Sequence, residues 1–147
     1  MGRTTIDELP RWARGLLEEA RVARLGLLDD EGGPRVLPVT FVLHEGGLWT
    51  AVDQKPKRDP GREPARVGFL RRDPRAALTV DRYDDDWSRL AWVQILGDVT
   101  VLAVDDAPEA LAALTTKYPQ YGGEPPPGPL LRVDPLRALC WSAGSTG

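Results

Sequence analysis

At 147 residues and 16.1 kDa the chain has room for one ordinary domain, with a core that needs no disulfide staple. Hydrophobic residues at 41% and charged residues at 28% exclude a disordered chain. The longest stretch without Asp, Glu, Lys or Arg is ten residues, 138–147, well short of the roughly 20 that a membrane-spanning helix needs. The net charge of −3 is unevenly spread: 55–75 holds eight basic residues against three acids, which leaves −8 for the rest. That balance argues against a general nucleic-acid binder and for one small anionic ligand.

Residues 6–23 are expected to form an amphipathic helix, because Leu9, Trp12, Ala13, Leu16, Leu17, Ala20 and Ala23 recur at spacings of three and four. Arg3, Asp7, Glu8, Arg11 and Arg14 leave no apolar middle for a signal peptide, so cytoplasmic residence is the expectation. From Arg24 the period changes to that of strands, and Arg24-Leu25-Gly26-Leu27-Leu28 is the first of them. Asp29-Asp30-Glu31-Gly32-Gly33-Pro34 reads as a turn, 35–43 as a strand, His44-Glu45-Gly46-Gly47 as a hairpin, and 48–52 as the returning strand of a three-stranded meander.

A charged, proline-bearing loop follows over 53–63, then a short helix over 64–72 with Ala65, Gly68, Phe69 and Leu70 inward. Residues 75–83 alternate as a strand and 84–87 turn it. A long strand over 90–104 carries Gly97-Asp98 as a bulge or bend. A helix over 105–117 is capped by Asp105 or Asp106, a Pro/Gly-rich loop fills 118–129, and a last strand over 130–142 is broken at Asp134-Pro135. The fold class is therefore mainly β with flanking helices: one domain over 1–147, with a helical N-terminal part in 1–22 and six strands in a small antiparallel barrel.

Hydrolytic chemistry has little to work with. Ser88, Ser142 and Ser145 lie in no G-x-S-x-G elbow, and His44 alone would have to act as their base. His44 at a hairpin tip reads as a surface histidine, and Cys140 on an apolar strand as a buried, inert thiol. One histidine and one cysteine do not make a zinc site by themselves. Asp81, Asp84, Asp85 and Asp86 lack the glycine and distal glutamate of a calcium loop and read as a solvated turn paired with Arg82 or Arg89 or with the basic loop. No dinucleotide or P-loop glycine motif is present.

Lys55-Pro56-Lys57-Arg58, directly after a strand, places three cations within four residues. It reads either as a solvated charge run or as a grip on one phosphate or carboxylate, with Arg58 bidentate and the lysines as point charges. Trp12, Trp49, Trp87, Trp92 and Trp141 are many for a small chain; they suit a core, a subunit interface or the walls of a flat cofactor.

The strand ending Thr50-Ala51-Val52-Asp53, the KPKR that follows, Asp73-Pro74-Arg75, Asp81-Arg82-Tyr83 with Asp86-Trp87, Trp92-Val93 and Tyr118-Pro119-Gln120-Tyr121 together resemble the split-barrel flavin and deazaflavin oxidoreductases related to pyridoxamine 5′-phosphate oxidase. Within these the chain is most similar to the branch described as probable coenzyme F420-dependent enzymes. The resemblance implies a homodimer with two cofactor clefts at the subunit interface and hydride transfer to a small organic acceptor. It also implies that Lys55, Lys57 and Arg58 hold the cofactor's anionic tail, that Thr50, Ala51 and Val52 line its ring and ribityl chain, and that Trp92 or Trp87 walls the cleft of the other subunit. Phe69 departs from the pattern, standing where relatives often carry Asn, and Arg62 and Arg66 are left unassigned. Relatives use F420, FMN or haem. The extended basic run suits the long polyglutamate tail of F420, with an FMN oxidase or a non-catalytic flavin or haem binder as the alternatives.

Overall fold

The computed structural model describes residues 6–52 and 63–144. Seven antiparallel strands form one sheet: β1 (Ala23–Leu28), β2 (Pro34–Val39), β3 (Val42–His44), β4 (Gly47–Ala51), β5 (Arg75–Arg82), β6 (Ala91–Leu102) and β7 (Leu130–Ser142), in the spatial order β2-β1-β5-β6-β7-β4-β3. Three α-helices flank it: α1 (Arg11–Glu19), α2 (Ala65–Arg72) and α3 (Pro108–Lys117).

The two edge strands, β2 and β3, are separated in the chain by Thr40 and Phe41 alone. Two residues cannot span an open seven-stranded sheet, so the sheet curls until its edges meet at that corner. The result is a curled antiparallel half-barrel. The expected single strand over 35–43 is thus two strands, and the six-stranded count becomes seven. The expected meander becomes two hairpins, β1–β2 and β3–β4, on opposite edges of the sheet.

Tyrosines hold the corner. The Phe41 N–H donates to the Tyr118 hydroxyl at 3.0 Å. That hydroxyl's one proton is shared between the carbonyls of Phe41 at 3.0 Å and Arg21 at 2.9 Å. The Tyr121 and Thr40 hydroxyls are 2.8 Å apart. Side chains therefore satisfy the backbone groups that a bent strand takes out of its ladder.

The turns follow local chemistry. The Asp29 carboxylate accepts from the N–H groups of Gly33 at 2.8 Å and Glu31 at 3.0 Å, and these bonds hold it below the usual carboxylate range. Gly32 sits at φ +77°, where a side chain would be strained. At the β3–β4 hairpin both Glu45 and Gly46 have positive φ, as a type I′ turn requires.

Along β6, Ala91, Val93, Ile95, Gly97 and Val99 are buried, while Trp92, Gln94, Leu96, Asp98 and Thr100 point outward. The inward set joins Leu25, Leu27, Leu78, Val80, Leu131 and Val133 in the main core, closed by Ala13 and Leu17 of α1 and Val67 and Leu70 of α2. Val67 and Leu70, not Ala65 and Gly68, form the buried face of α2, and Phe69 is half-buried. A second cluster seats Ala110 and Leu114 of α3 on Val42, Trp49, Ala51 and Leu130.

Two further corrections have plain causes. The first helix runs Arg11–Glu19, after a 3-10 turn at Ile6–Glu8, because Pro10 has no N–H to continue a helix begun at Ile6. The last strand is not broken at Asp134-Pro135. It bulges there: Leu96 faces Arg137 and Gly97 faces Pro135, which leaves Leu136 as the extra residue. Pro135 is tolerated because the β4 ladder along β7 ends at Val133.

Candidate functional site

Thr50, Ala51 and Val52 lie at the C-terminal end of β4 and are 3%, 4% and 2% exposed. Thr50 is the one buried polar side chain among the described residues. On one side the strand pairs fully: Thr50 faces Leu131, Ala51 faces Leu130, and Val52 exchanges backbone bonds with Pro129 at 3.0 Å and Gly128 at 3.2 Å. On the other side the β3 ladder stops at the Val42–Trp49 pair. Thr50 and Ala51 therefore occupy a stretch of β4 edge that β3 does not cover. Both are buried in the single chain, Ala51 within the cluster under α3.

The basic motif Lys55, Lys57 and Arg58, with Arg62, lies outside the described residues. α2 follows it and carries arginines of its own. Arg71 pairs with Glu63 at 3.1 Å and Arg72 with Asp30 at 3.0 Å, so these two cations are already engaged on the surface.

Trp92 is brought beside Trp141 by the β6–β7 register, with Asp81 of β5 on its other side. Trp92 is 37% exposed, Trp141 46%, and Trp87 and Tyr83 near the same end 70% each. Within one chain this cluster does not meet Thr50–Val52. Ala51 pairs with Leu130, which faces Leu102, and Trp92 lies ten residues back along β6. At about 3.3 Å per residue that is on the order of 30 Å.

An outer sheet face lies between these ends. Val36, Gly26, Ala77, Leu96 and Arg137 stand in one cross-strand row, and Arg24, Thr79, Gln94 and Leu139 in the next. Val36 is 70% exposed and the central members are half-buried. α1 and α2 contribute to the core on the opposite side. The signal was available in the alternation of β6, where the outward residues include Trp92 and Leu96 as well as polar ones.

The remaining chemistry-bearing groups are engaged structurally. The acidic turn is a solvated one: Arg24 reaches Asp81 at 3.3 Å, Arg89 reaches Asp84 at 3.6 Å, and Asp86 caps the short turn by accepting from Ser88. The Ser88 bonds hold the Asp86 carboxyl below its ordinary range. Arg75 chelates Asp73 at 2.7 and 3.0 Å and lowers that carboxyl to about 2. Cys140 is half-buried, and burial pushes its thiol up, away from thiolate chemistry. His44 stands at the far end of β4, with its ring edge-on to Trp49 at 6.4 Å. Among the described residues no helix is long and apolar enough to cross a membrane.

Comparison with solved structures finds the same fold in several proteins. A conserved hypothetical protein from Mycobacterium tuberculosis superposes with a TM-score of 0.72 at 18% identity, over 97% of this chain and 90% of its own. A heme binding protein from Mycobacterium smegmatis gives 0.72 at 20% identity, over 100% of this chain and 57% of its own. An F420 reductase gives 0.67 at 18% identity, over 89% of this chain and 98% of its own. Identities this low speak to the fold. No curated protein matches the sequence. The family model for pyridoxamine 5′-phosphate oxidase matches residues 9–142, almost the whole chain, and the protein belongs to that family.

Proposed function

We propose that the protein is an F420-dependent oxidoreductase that works as a homodimer and passes a hydride between the deazaflavin and a small organic acceptor. What carries this reading is the pairing of a β4 edge that β3 leaves unpaired at Thr50 and Ala51, both buried in the single chain, with an exposed sheet face ending in Trp92 and Trp141. The two lie at opposite ends of one chain, so a second copy is what brings an aromatic wall to the β4 edge. The residues present fit a flat tricyclic cofactor. Thr50, Ala51 and Val52 are small, and the Thr50 hydroxyl is the polar group buried among them.

When bound, the deazaflavin ring supplies the hydride chemistry. The chain's part is positional. Thr50, Ala51 and Val52 present an edge for the ring and ribityl chain, and Lys55, Lys57 and Arg58 hold the anionic tail by charge-assisted hydrogen bonds. The partner's Trp92 shields the ring from water. The chain's one imidazole is at the other end of β4, which suits a reaction that asks for orientation more than for a side-chain acid. The likeness to an F420 reductase supports F420 and the likeness to a heme binding protein supports a non-catalytic haem carrier. The extended basic run, which suits a polyglutamate tail, favours the first.

Substituting Lys57 tests the anchoring role. Each charge-assisted bond contributes roughly 1.5–3 kcal/mol, so Lys57→Ala weakens F420 binding about ten- to a hundredfold in a fluorescence titration. The melting temperature moves little, because a charge whose work is to hold the ligand contributes little to folding. An affinity within twofold of the parent would remove the loop from the site.

A further inference from the structure

The end of β4 away from the cofactor edge gathers groups for which the proposed reaction has no use. His44 closes β3, Glu45 is the first residue of the hairpin turn, and Glu109 stands in the first turn of α3. They meet because α3 packs its Ala110 and Leu114 against Val42 and Trp49. One donor atom from each of the three lies within 4.8 Å of the others, and His44 Nε2 is 3.9 Å from Glu45 Oε1.

We propose that His44, Glu45 and Glu109 form a binding site for a zinc-type divalent cation, which fastens the β3–β4 hairpin to α3.

Three observations converge on it. The first is distance. Ligand bonds of about 2.0–2.2 Å put donors on a tetrahedral ion about 3.4 Å apart, so the observed spread closes with small side-chain rotations. Glu45 and Glu109 are exposed and free to make them. The second is charge. Neither Glu45 nor Glu109 makes an ion pair with a lysine or arginine among the described residues. Two carboxylates brought together repel, and a dication reverses the sign of that interaction. The third is a built-in mount. Trp49, itself 6% exposed, donates from Nε1 to the His44 carbonyl at 3.3 Å, and its ring meets the imidazole edge-on. Trp49 thus ties down the His44 backbone and packs against one side of its ring.

The donor set selects the metal class. One imidazole nitrogen with two carboxylates suits zinc, cobalt or nickel, whereas calcium and magnesium prefer oxygen throughout, and no thiolate is present for softer ions. Three protein ligands leave a coordination position for water. His44 and Glu45 also line a cavity of about 210 Å³ with Gly47, Trp49, Arg132 and Asp134; Glu109 is not part of its lining. The site stands on the α3 side of the sheet, and it is independent of the F420 reading.

Calorimetric titration of the untagged full-length protein with Zn²⁺ tests the proposal, with Co²⁺ absorbance reporting the ligand geometry. The expected result is one ion per chain at micromolar affinity. Melting temperature should rise about 5–10 °C when zinc exceeds its Kd a hundredfold. His44→Ala and Glu109→Gln should each weaken binding at least about tenfold and abolish the thermal shift, while Glu31→Gln, in the distant β1–β2 turn, changes neither. Absence of binding below about 1 mM would overturn the proposal, as would an affinity for Glu109→Gln within about threefold of the parent. Both substitutions fall on exposed or half-buried side chains, so they leave the fold intact for the comparison.

Discussion

Tyr118 does more for this fold than its sequence context suggests. The residue is 3% exposed, and its hydroxyl serves three backbone groups at the corner where the sheet closes. Tyr118→Phe removes the hydroxyl and leaves the buried Phe41 N–H unsatisfied. It should cost about 1–3 kcal/mol in urea unfolding, and a loss below about 0.3 kcal/mol would show that the corner is held by packing alone. The neighbouring lysine offers a pH test. The Lys117 Nζ sits 4.0 Å from the Phe41 ring centroid with no hydrogen-bond acceptor among the described residues. Burial first, and the nearby Arg21 charge second, lower its pKa from 10.5 to about 8. Between those values the unfolded chain holds a proton that the native state has released, so stability rises with pH across the window and is flat below it. Urea midpoints from pH 7.5 to 10.5 should show that rise in the parent and lose it in Lys117→Met, and identical slopes would contradict the assignment.

Among the elements, those with a clean period and a local stop were legible in the sequence. β1, β4, β5, β6, β7, α2 and α3 fall close to their expected places because alternation or helical spacing ended at Gly, Pro or Asp clusters. The first helix ran too long in the sequence reading because Ala23 satisfies both periods: it continues the helical stripe and opens the buried face of β1, where it is fully buried. The break at Thr40 and Phe41 was hidden because the residues that stabilise it, Tyr118 and Tyr121, are some 80 positions away. Gly97 was legible as a bulge, and the structure supplies the reason. A β-carbon there would overlap the Asp134 carbonyl oxygen of the facing strand. Gly97→Ala must push β7 away at the bulge and should destabilise by about 1–3 kcal/mol. A variant as stable as the parent in chemical denaturation would mean that the two strands separate freely at this point.

At the scale of the whole molecule the site is less legible than the fold, and geometry is the reason. Thr50, Ala51 and Val52 are assigned by resemblance, and the structure places them buried beside the part of the β4 edge that β3 leaves unpaired. Trp92 does not reach them inside one chain, and the proposed cleft between two chains would leave no spacing in the sequence of either. The exposed outer face of β2, β1, β5, β6 and β7 is the surface that a second copy would cover, with Val36 at one end and Trp92 and Trp141 at the other. Sedimentation of the protein with F420, followed at the cofactor's own absorbance, tests cofactor and assembly together. The account predicts that F420 travels with a homodimer at one molecule per chain and that FMN and haem at equal concentration do not. F420 left behind by the protein, F420 carried by a monomer, or FMN or haem bound in its place would contradict it.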